Sequence, residues 1–250
     1  MCGIVGFTGD MQAAPILLDG LSKLEYRGYD SAGVTLVDKA QLFTIKTKGR
    51  LQNLVERLEQ AKPKGCTGIG HTRWATHGIP SNLNSHPHTN NDNTISLVHN
   101  GIIENYRELK KELIDNGYIF QSETDSEVVV HLLDFYYDGN MIEALKKVHK
   151  RIQGSYALCI ASIFEPDCVY VTKKDSPLII GKNDYSSFGA SDIPALLDYT
   201  RDVYFIEDYE MVKLCKNNLT FYNQEGKEIT KKSTHIPYDN EAAKKGGYDT

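Results

Sequence analysis

Cysteine stands second in this chain, directly behind the initiator methionine, and that position offers chemistry open to none of the other four cysteines. A small second residue normally permits removal of Met1, which would leave a thiol and a free α-amine on one residue. The amine titrates near ~7.7–8.0 and a thiol near ~8.5, so the amine can act as general base for its own thiol. Once protonated, the amine favours the thiolate, the nucleophilic form. The alternative is a small buried residue that opens a strand, a common fate of free cysteine.

Asn100-Gly101 also admits two readings. Between Ile95–His99 and Ile102-Ile103, Asn-Gly is a strong signal for a two-residue hairpin turn. It equally supplies two donors, the Asn100 carboxamide N–H and the Gly101 backbone N–H, for an oxyanion hole. In the segment His71-Thr72-Arg73-Trp74-Ala75-Thr76-His77-Gly78, Arg73 can clamp a carboxylate through paired hydrogen bonds. Trp74, the single Trp, suits either a closing lid or a surface pair stacked with Arg73. Asp125 suits a substrate ammonium, and equally the first turn of any helix. The histidines do not make a metal set. His71 and His77 are off the i, i+4 spacing, and no nearby Cys or Asp completes a tetrahedral site beside His86 and His88, so these rings are assigned to hydrogen bonds that brace core and loop. No phosphate-binding G-x-x-x-x-G-K-[ST] loop is present.

These residues need elements to carry them. Cys2–Thr8 mixes β-branched residues with glycine, as in a buried strand that other backbone approaches closely. Ile16, Leu17, Leu21 and Leu24 recur at helical spacing, with Gly28 as a stop. Strands are predicted at Ala32–Val37, Leu42–Thr47, Thr67–Trp74 and Ile95–Ile103, and a helix on Leu51, Leu54 and Leu58. The long Pro-, Asn- and His-rich loop from Ala75 to Thr94 is of a length usually tied to function. Three helices follow: one on Tyr106, Leu109 and Leu113 closed by Gly117, one opened by a capping box at Thr124–Glu127, and one on Ile142, Leu145 and Val148. After Gly154 the pattern turns to strands, at Tyr156–Ile163, Cys168–Thr172, Leu178–Gly181, Asp202–Ile206, Met211–Leu214 and Leu219–Tyr222, with a turn at Asn223–Gly226. Blocks of strands and helices imply an α+β layered domain. The polar tail from Asn240 to Thr250 reads as a linker, leaving 1–239 as the domain.

Composition narrows the function. The chain has 250 residues, 40% apolar and 24% charged, with net charge −5, so nothing favours nucleic acid or an acidic membrane. No apolar run is long enough to span a bilayer, and the N-terminus lacks a signal peptide's pattern. The cysteines are odd in number and scattered, and the reading is that no disulfide scaffold forms and that the compartment is cytoplasmic.

Taken together, Cys2-Gly3-Ile4-Val5-Gly6, His71–Gly78, His99-Asn100-Gly101-Ile102-Ile103-Glu104-Asn105 and Ser122–Glu127 resemble the motifs of class II glutamine amidotransferases. The segment Leu24–Gly33 resembles the version carried by the amino-sugar-forming branch of that class. The resemblance covers nearly the whole chain. It implies an N-terminal-nucleophile hydrolase fold, a four-layer α/β/β/α sandwich of two mainly antiparallel sheets. It also implies Cys2 as nucleophile, Asn100 and Gly101 as oxyanion hole, Arg73 and Thr76 on the glutamine carboxylate with His77 helping to shape that loop in the substrate site, and Asp125 on the ammonium. Trp74 would belong to the closing loop, with Arg27 and His86 in positioning roles. No cofactor is implied. The implied partners are L-glutamine and a sugar-isomerase domain or subunit that binds fructose 6-phosphate, in homo-oligomeric full-length proteins. A catalytically silent glutamine-binding module is the competing class, and it would tolerate a retained Met1.

Overall fold

The computed structural model describes residues 2–74 and 78–237. Met1, Thr76, His77 and the 240–250 linker reading lie outside the described residues. In chain order the elements are β1 (Gly3–Gly9), α1 (Ala13–Leu24), a 3-10 turn (Glu25–Arg27), β2 (Ser31–Asp38), β3 (Gln41–Lys48), α2 (Leu51–Ala61), β4 (Thr67–Arg73), β5 (His88–Thr89) and β6 (Ile95–Ile103). Next come α3 (Tyr106–Asp115), α4 (Glu127–Tyr136), α5 (Met141–His149), β7 (Gly154–Ser162), β8 (Cys168–Lys174), β9 (Ile179–Lys182) and β10 (Ser186–Ala190). The chain continues through a second 3-10 turn (Ile193–Ala195), β11 (Asp202–Phe205), β12 (Met211–Cys215), β13 (Asn218–Tyr222), β14 (Glu228–Ile229) and β15 (Thr234–His235).

The strands form two sheets, ordered β15-β11-β9-β10-β1-β4-β2-β3 and β14-β13-β12-β8-β7-β6-β5. Every pairing between these strands is antiparallel. Leu17 and Leu21 of α1 and Leu54 and Leu58 of α2 bury against Phe7, Leu36 and Phe188 on the outer face of the first sheet. Leu109, Val129, Leu132 and Leu145 of α3 to α5 cover Leu97, Leu158 and Ile160 of the second. Between the sheets lie Ile4, Ile69, Val98, Val171 and Leu214. Each fully buried residue of this size contributes about 1.5–3 kcal/mol through removal from water. The result is the four-layer α/β/β/α order.

The predicted glycine contact in β1 is specific. A Cβ on Gly6 would sit 2.6 Å from Cys159 Sγ and 3.2 Å from Val169 Cγ1, both on the facing sheet. At the end of α3, Gly117 takes φ +92° and its N–H donates to Ile114, a left-handed helix stop.

Three expectations need correction. Asn100-Gly101 is no hairpin turn, because β6 runs unbroken to Ile103 and pairs with β7 through both residues. The Thr124–Glu127 capping box does not form: Ser126 caps α4 without a side-chain bond, and the Thr124 and Glu127 side chains are used elsewhere. The reading that excluded a disulfide also fails for one pair. Register sets Cys168 of β8 opposite Cys215 of β12, their Cα atoms are 4.3 Å apart, and the sulfurs are bonded. That separation matches the closer pair type of an antiparallel ladder, and spacing along the sequence carries no trace of it.

Cys2, Cys66 and Cys159 are free. Thiol titration in denaturant should therefore count three thiols in the untreated protein and five after reduction. Five without reductant would refute the Cys168–Cys215 bond.

Candidate active site

Strand β1 begins at Gly3, so Cys2 lies at the strand's head. Gly3 pairs with Thr72 of β4, which brings Cys2 beside the end of β4. There the Trp74 backbone N–H donates to Cys2 Sγ at 3.2 Å. Burial pushes the thiol upward, with the Trp74 N–H and the Arg73 charge acting against it and Asp30 with it, and the net shift is upward. The resting sulfur is therefore a neutral thiol at pH 7, and attack requires a base to take its proton.

Asn100 arrives from the other sheet. Its Nδ2 donates to the Cys2 carbonyl at 3.0 Å, and its Oδ1 lies 3.0 Å from His71 Nε2. Gly101 takes φ +126°, and a Cβ there would fall 2.1 Å from the Ser155 carbonyl oxygen. Only glycine fits this position.

Arg73 is the last residue of β4 and is buried, with Nη2 donating to Gly78 O at 3.1 Å. Asp125 is buried too, and one carboxylate oxygen accepts the Ile103 N–H at 2.7 Å. Cys2, Arg27, Arg73, Asn100, Gly101 and Asp125 line one cleft of about 350 Å³. Its volume suits a small molecule. A buried cation and a buried anion on its wall match a ligand bearing both charges.

Trp74 is half-exposed at this cleft, its ring edge-on to Tyr29 at 5.7 Å between centroids. Arg27 donates to Asp192 at 2.9 Å and to the Ser191 carbonyl at 3.2 Å. His86 also lines the cleft, but its ring nitrogens meet no hydrogen-bond partner among the described residues. Its ring packs instead against His71 at 4.2 Å and His88 at 4.7 Å.

Several contributors were not anticipated. Asp192 holds both Arg27 and the Tyr26 hydroxyl. Ser155, Ser176 and Pro177 line the cleft, and such small residues leave no sequence signal. Glu127 anchors the segment that carries Asp125. Its carboxylate accepts the N–H groups of Gln121 and Ser122 and the Ser122 hydroxyl. Thr124 then donates to Ser122, and His88 Nε2 donates to Thr124. The order follows from the carboxylate, which only accepts, so each hydroxyl must spend its proton toward it.

Two sheets face to face between helical layers, with a cysteine at the head of a central strand beside an Asn-Gly pair, define an N-terminal-nucleophile hydrolase fold of the amidotransferase type. A solved glutamine phosphoribosylpyrophosphate amidotransferase from B. subtilis superimposes with TM-score 0.77 over 89% of this chain and 49% of its own, at 28% identity. The model of the glutamine amidotransferase domain matches residues 71–198, and the chain belongs to that family. Glutamine–fructose-6-phosphate aminotransferases (isomerizing) are similar throughout: that of Clostridium acetobutylicum is 54% identical over 249 residues, and that of Methanosarcina acetivorans 47% over 263. The chain covers 41% and 42% of these two relatives' lengths.

Burial alone would raise the Glu127 carboxyl, but the His131 ring 3.5 Å away and hydrogen bonds from Gln121 and Ser122 outweigh it and hold the group at about 2 against an ordinary 4.5. Its stabilising contribution is thus complete above pH ~4.5 and is lost as pH falls toward 2. Glu127→Gln should cost about 1.5–3 kcal/mol at pH 7, as loss of a charged acceptor does. In urea unfolding the gap to the parent should narrow between pH 5 and pH 2.5. A constant gap would show that the charge does not hold the segment.

Proposed function

We propose that this chain is the glutamine-hydrolysing part of an amino-sugar-forming synthase, with Cys2 as nucleophile once Met1 is removed. The observation that carries the reading is the convergence of Cys2, Asn100, Arg73 and Asp125 on one cleft, joined by the Asn100–Cys2 hydrogen bond. Arg73 and Thr76 take the α-carboxylate of glutamine, His77 helps to shape their loop, and Asp125 takes the α-ammonium. The side-chain amide then extends toward Cys2. Glutamate is disfavoured, because its second carboxylate would lie beside the developing thiolate.

The Cys2 α-amine takes the thiol proton as Sγ attacks the amide carbon. Negative charge grows on the amide oxygen, where the Asn100 carboxamide and the Gly101 N–H donate; one such donor is worth about 100- to 1,000-fold in rate. The protonated amine passes its proton to the leaving nitrogen, and ammonia departs. Water, with the amine again as base, cleaves the γ-glutamyl thioester to glutamate and restores the thiol. Arg27, held by Asp192, and His86 position this end of the cleft, while Trp74 belongs to the loop that closes over glutamine.

The relatives' names extend the proposal. Ammonia released here is delivered to a sugar-isomerase half, absent from these 250 residues, for reaction with fructose 6-phosphate. Residues 1–239 form the glutaminase domain and 240–250 lead toward that half. A cytoplasmic setting is part of the same proposal.

The active protein should have a mass short of one Met and should release ammonia from glutamine. Cys2→Ala should lower turnover by on the order of 10³-fold or more without loss of fold. A chain that keeps Met1 should be equally inactive, since its amine is an amide. For the mature chain, kcat/KM should fall below pH ~7.7–8 as the amine protonates. Full turnover by Cys2→Ala, or by the Met1-bearing chain, would refute the nucleophile.

A further inference from the structure

The proposed mechanism requires the Asn100 carboxamide to present nitrogen, not oxygen, to the cleft. The two ends of that group are nearly equal in shape, so something must choose between them. His71, on β4 of the opposite sheet, is wholly buried. Its Nε2 lies 3.1 Å from the His99 carbonyl oxygen and 3.0 Å from Asn100 Oδ1. A carbonyl oxygen only accepts, so Nε2 must carry the proton. The other tautomer would point a lone pair at that oxygen. It would also bury an N–H at Nδ1, where no partner exists among the described residues.

A protonated Nε2 in turn demands an acceptor from Asn100, and this fixes Oδ1 on the His71 side. The opposite end agrees independently, because the Cys2 carbonyl needs a donor and receives Nδ2 at 3.0 Å. One carboxamide N–H is thereby spent on the Cys2 carbonyl, and the second is left with a fixed direction. The His86 ring, 4.2 Å from that of His71, holds the imidazole plane.

We propose that His71 is the positioning residue of the oxyanion hole: its Nε2–H locks the Asn100 carboxamide so that an N–H faces the substrate amide oxygen. This rests on the reading of Asn100 as an oxyanion donor. Desolvation holds the His71 ring at about 3, outweighing the hydrogen bonds to Asn100 and the His99 carbonyl, with Arg73 also opposing protonation, so the lock is a neutral donor throughout the working range. His71 neither touches glutamine nor moves a proton.

The test is glutaminase kinetics on this chain with Met1 removed. His71→Leu should lower kcat by about 10- to 100-fold, less than removal of the donor itself, with KM within about twofold. Its pH profile from 5 to 9 should keep the parent's shape. Combined with Asn100→Ala, it should add no further loss, since both act on one donor. If His71→Leu does not fold, His71→Gln and His71→Asn decide. The Gln amide reaches Asn100 and should retain most of kcat, whereas the Asn amide stops short and should not. Equal rates for those two variants, losses that multiply with Asn100→Ala, or parental kcat in a folded His71→Leu each overturn the inference while leaving the oxyanion hole in place. An Asn100→Ala protein with parental kcat would instead overturn the reading beneath it.

Discussion

Cys2 lies ahead of the first strand, and the geometry of the whole cleft depends on how it is held. The strand that follows it is sandwiched: β1 pairs with β4 on one side and β10 on the other. The Ile4 N–H donates to the Ser191 hydroxyl at 3.0 Å, and the Ser191 N–H to the Ile4 carbonyl at 3.1 Å. The last constraint crosses between sheets, from Asn100 Nδ2 to the Cys2 carbonyl. The inter-sheet core therefore does more than stabilise the fold. It sets the distance between Cys2 on one sheet and Asn100 on the other, and Gly6 permits that distance by leaving room for Cys159 Sγ.

Holding charge in and beside this cleft costs desolvation, and the structure offsets that cost through fixed partners. Arg27 has Asp192, Asp125 has the Ile103 N–H, and Glu127 has two backbone donors and a hydroxyl. Such preorganised dipoles need not reorient when a ligand arrives, which is where electrostatic catalysis gains its advantage. The thiol is treated in the opposite way. Burial raises it and keeps it neutral until a base acts, which limits side reactions of a resting thiolate.

Helices were legible because apolar residues repeated at helical spacing. Leu51, Leu54 and Leu58 fall on one buried face of α2, and Leu109 and Leu113 on one face of α3. Strands with branched or aromatic residues were legible too, to within about two residues at their ends. Central strand β10 was not. Ser186-Ser187-Phe188-Gly189-Ala190 looks like a loop, yet all five residues are buried, with small side chains where β10 lies beside β1 and under the facing sheet. The disulfide and the Glu127–Ser122–Thr124–His88 chain escaped for a related reason: both join residues through register and packing. Thr124 and Glu127 have the capping-box spacing, but buried partners outcompete the helix end for both side chains. Within the candidate site, Cys2, Arg73, Asn100, Gly101 and Asp125 are legible from residue chemistry and motif. Asp192 and the small residues of the cleft were not, since a lone Asp or Ser carries no pattern until the chain has folded.

The cluster of His71, His86, His88 and His99 rings at the cleft follows from the same economy of charge. His71 and His86 are both pushed well down by burial, and each ring opposes protonation of the next. A lysine or arginine at position 71 would donate equally well, but it would bring a permanent charge into a dry layer already holding Arg73, at a desolvation cost of several kcal/mol. An apolar ring would pack equally well but would leave the Asn100 oxygen unpaired, a loss of roughly 1–3 kcal/mol for a buried acceptor. Imidazole avoids both costs. It fills the volume of an aromatic ring and directs one N–H, and burial keeps it uncharged.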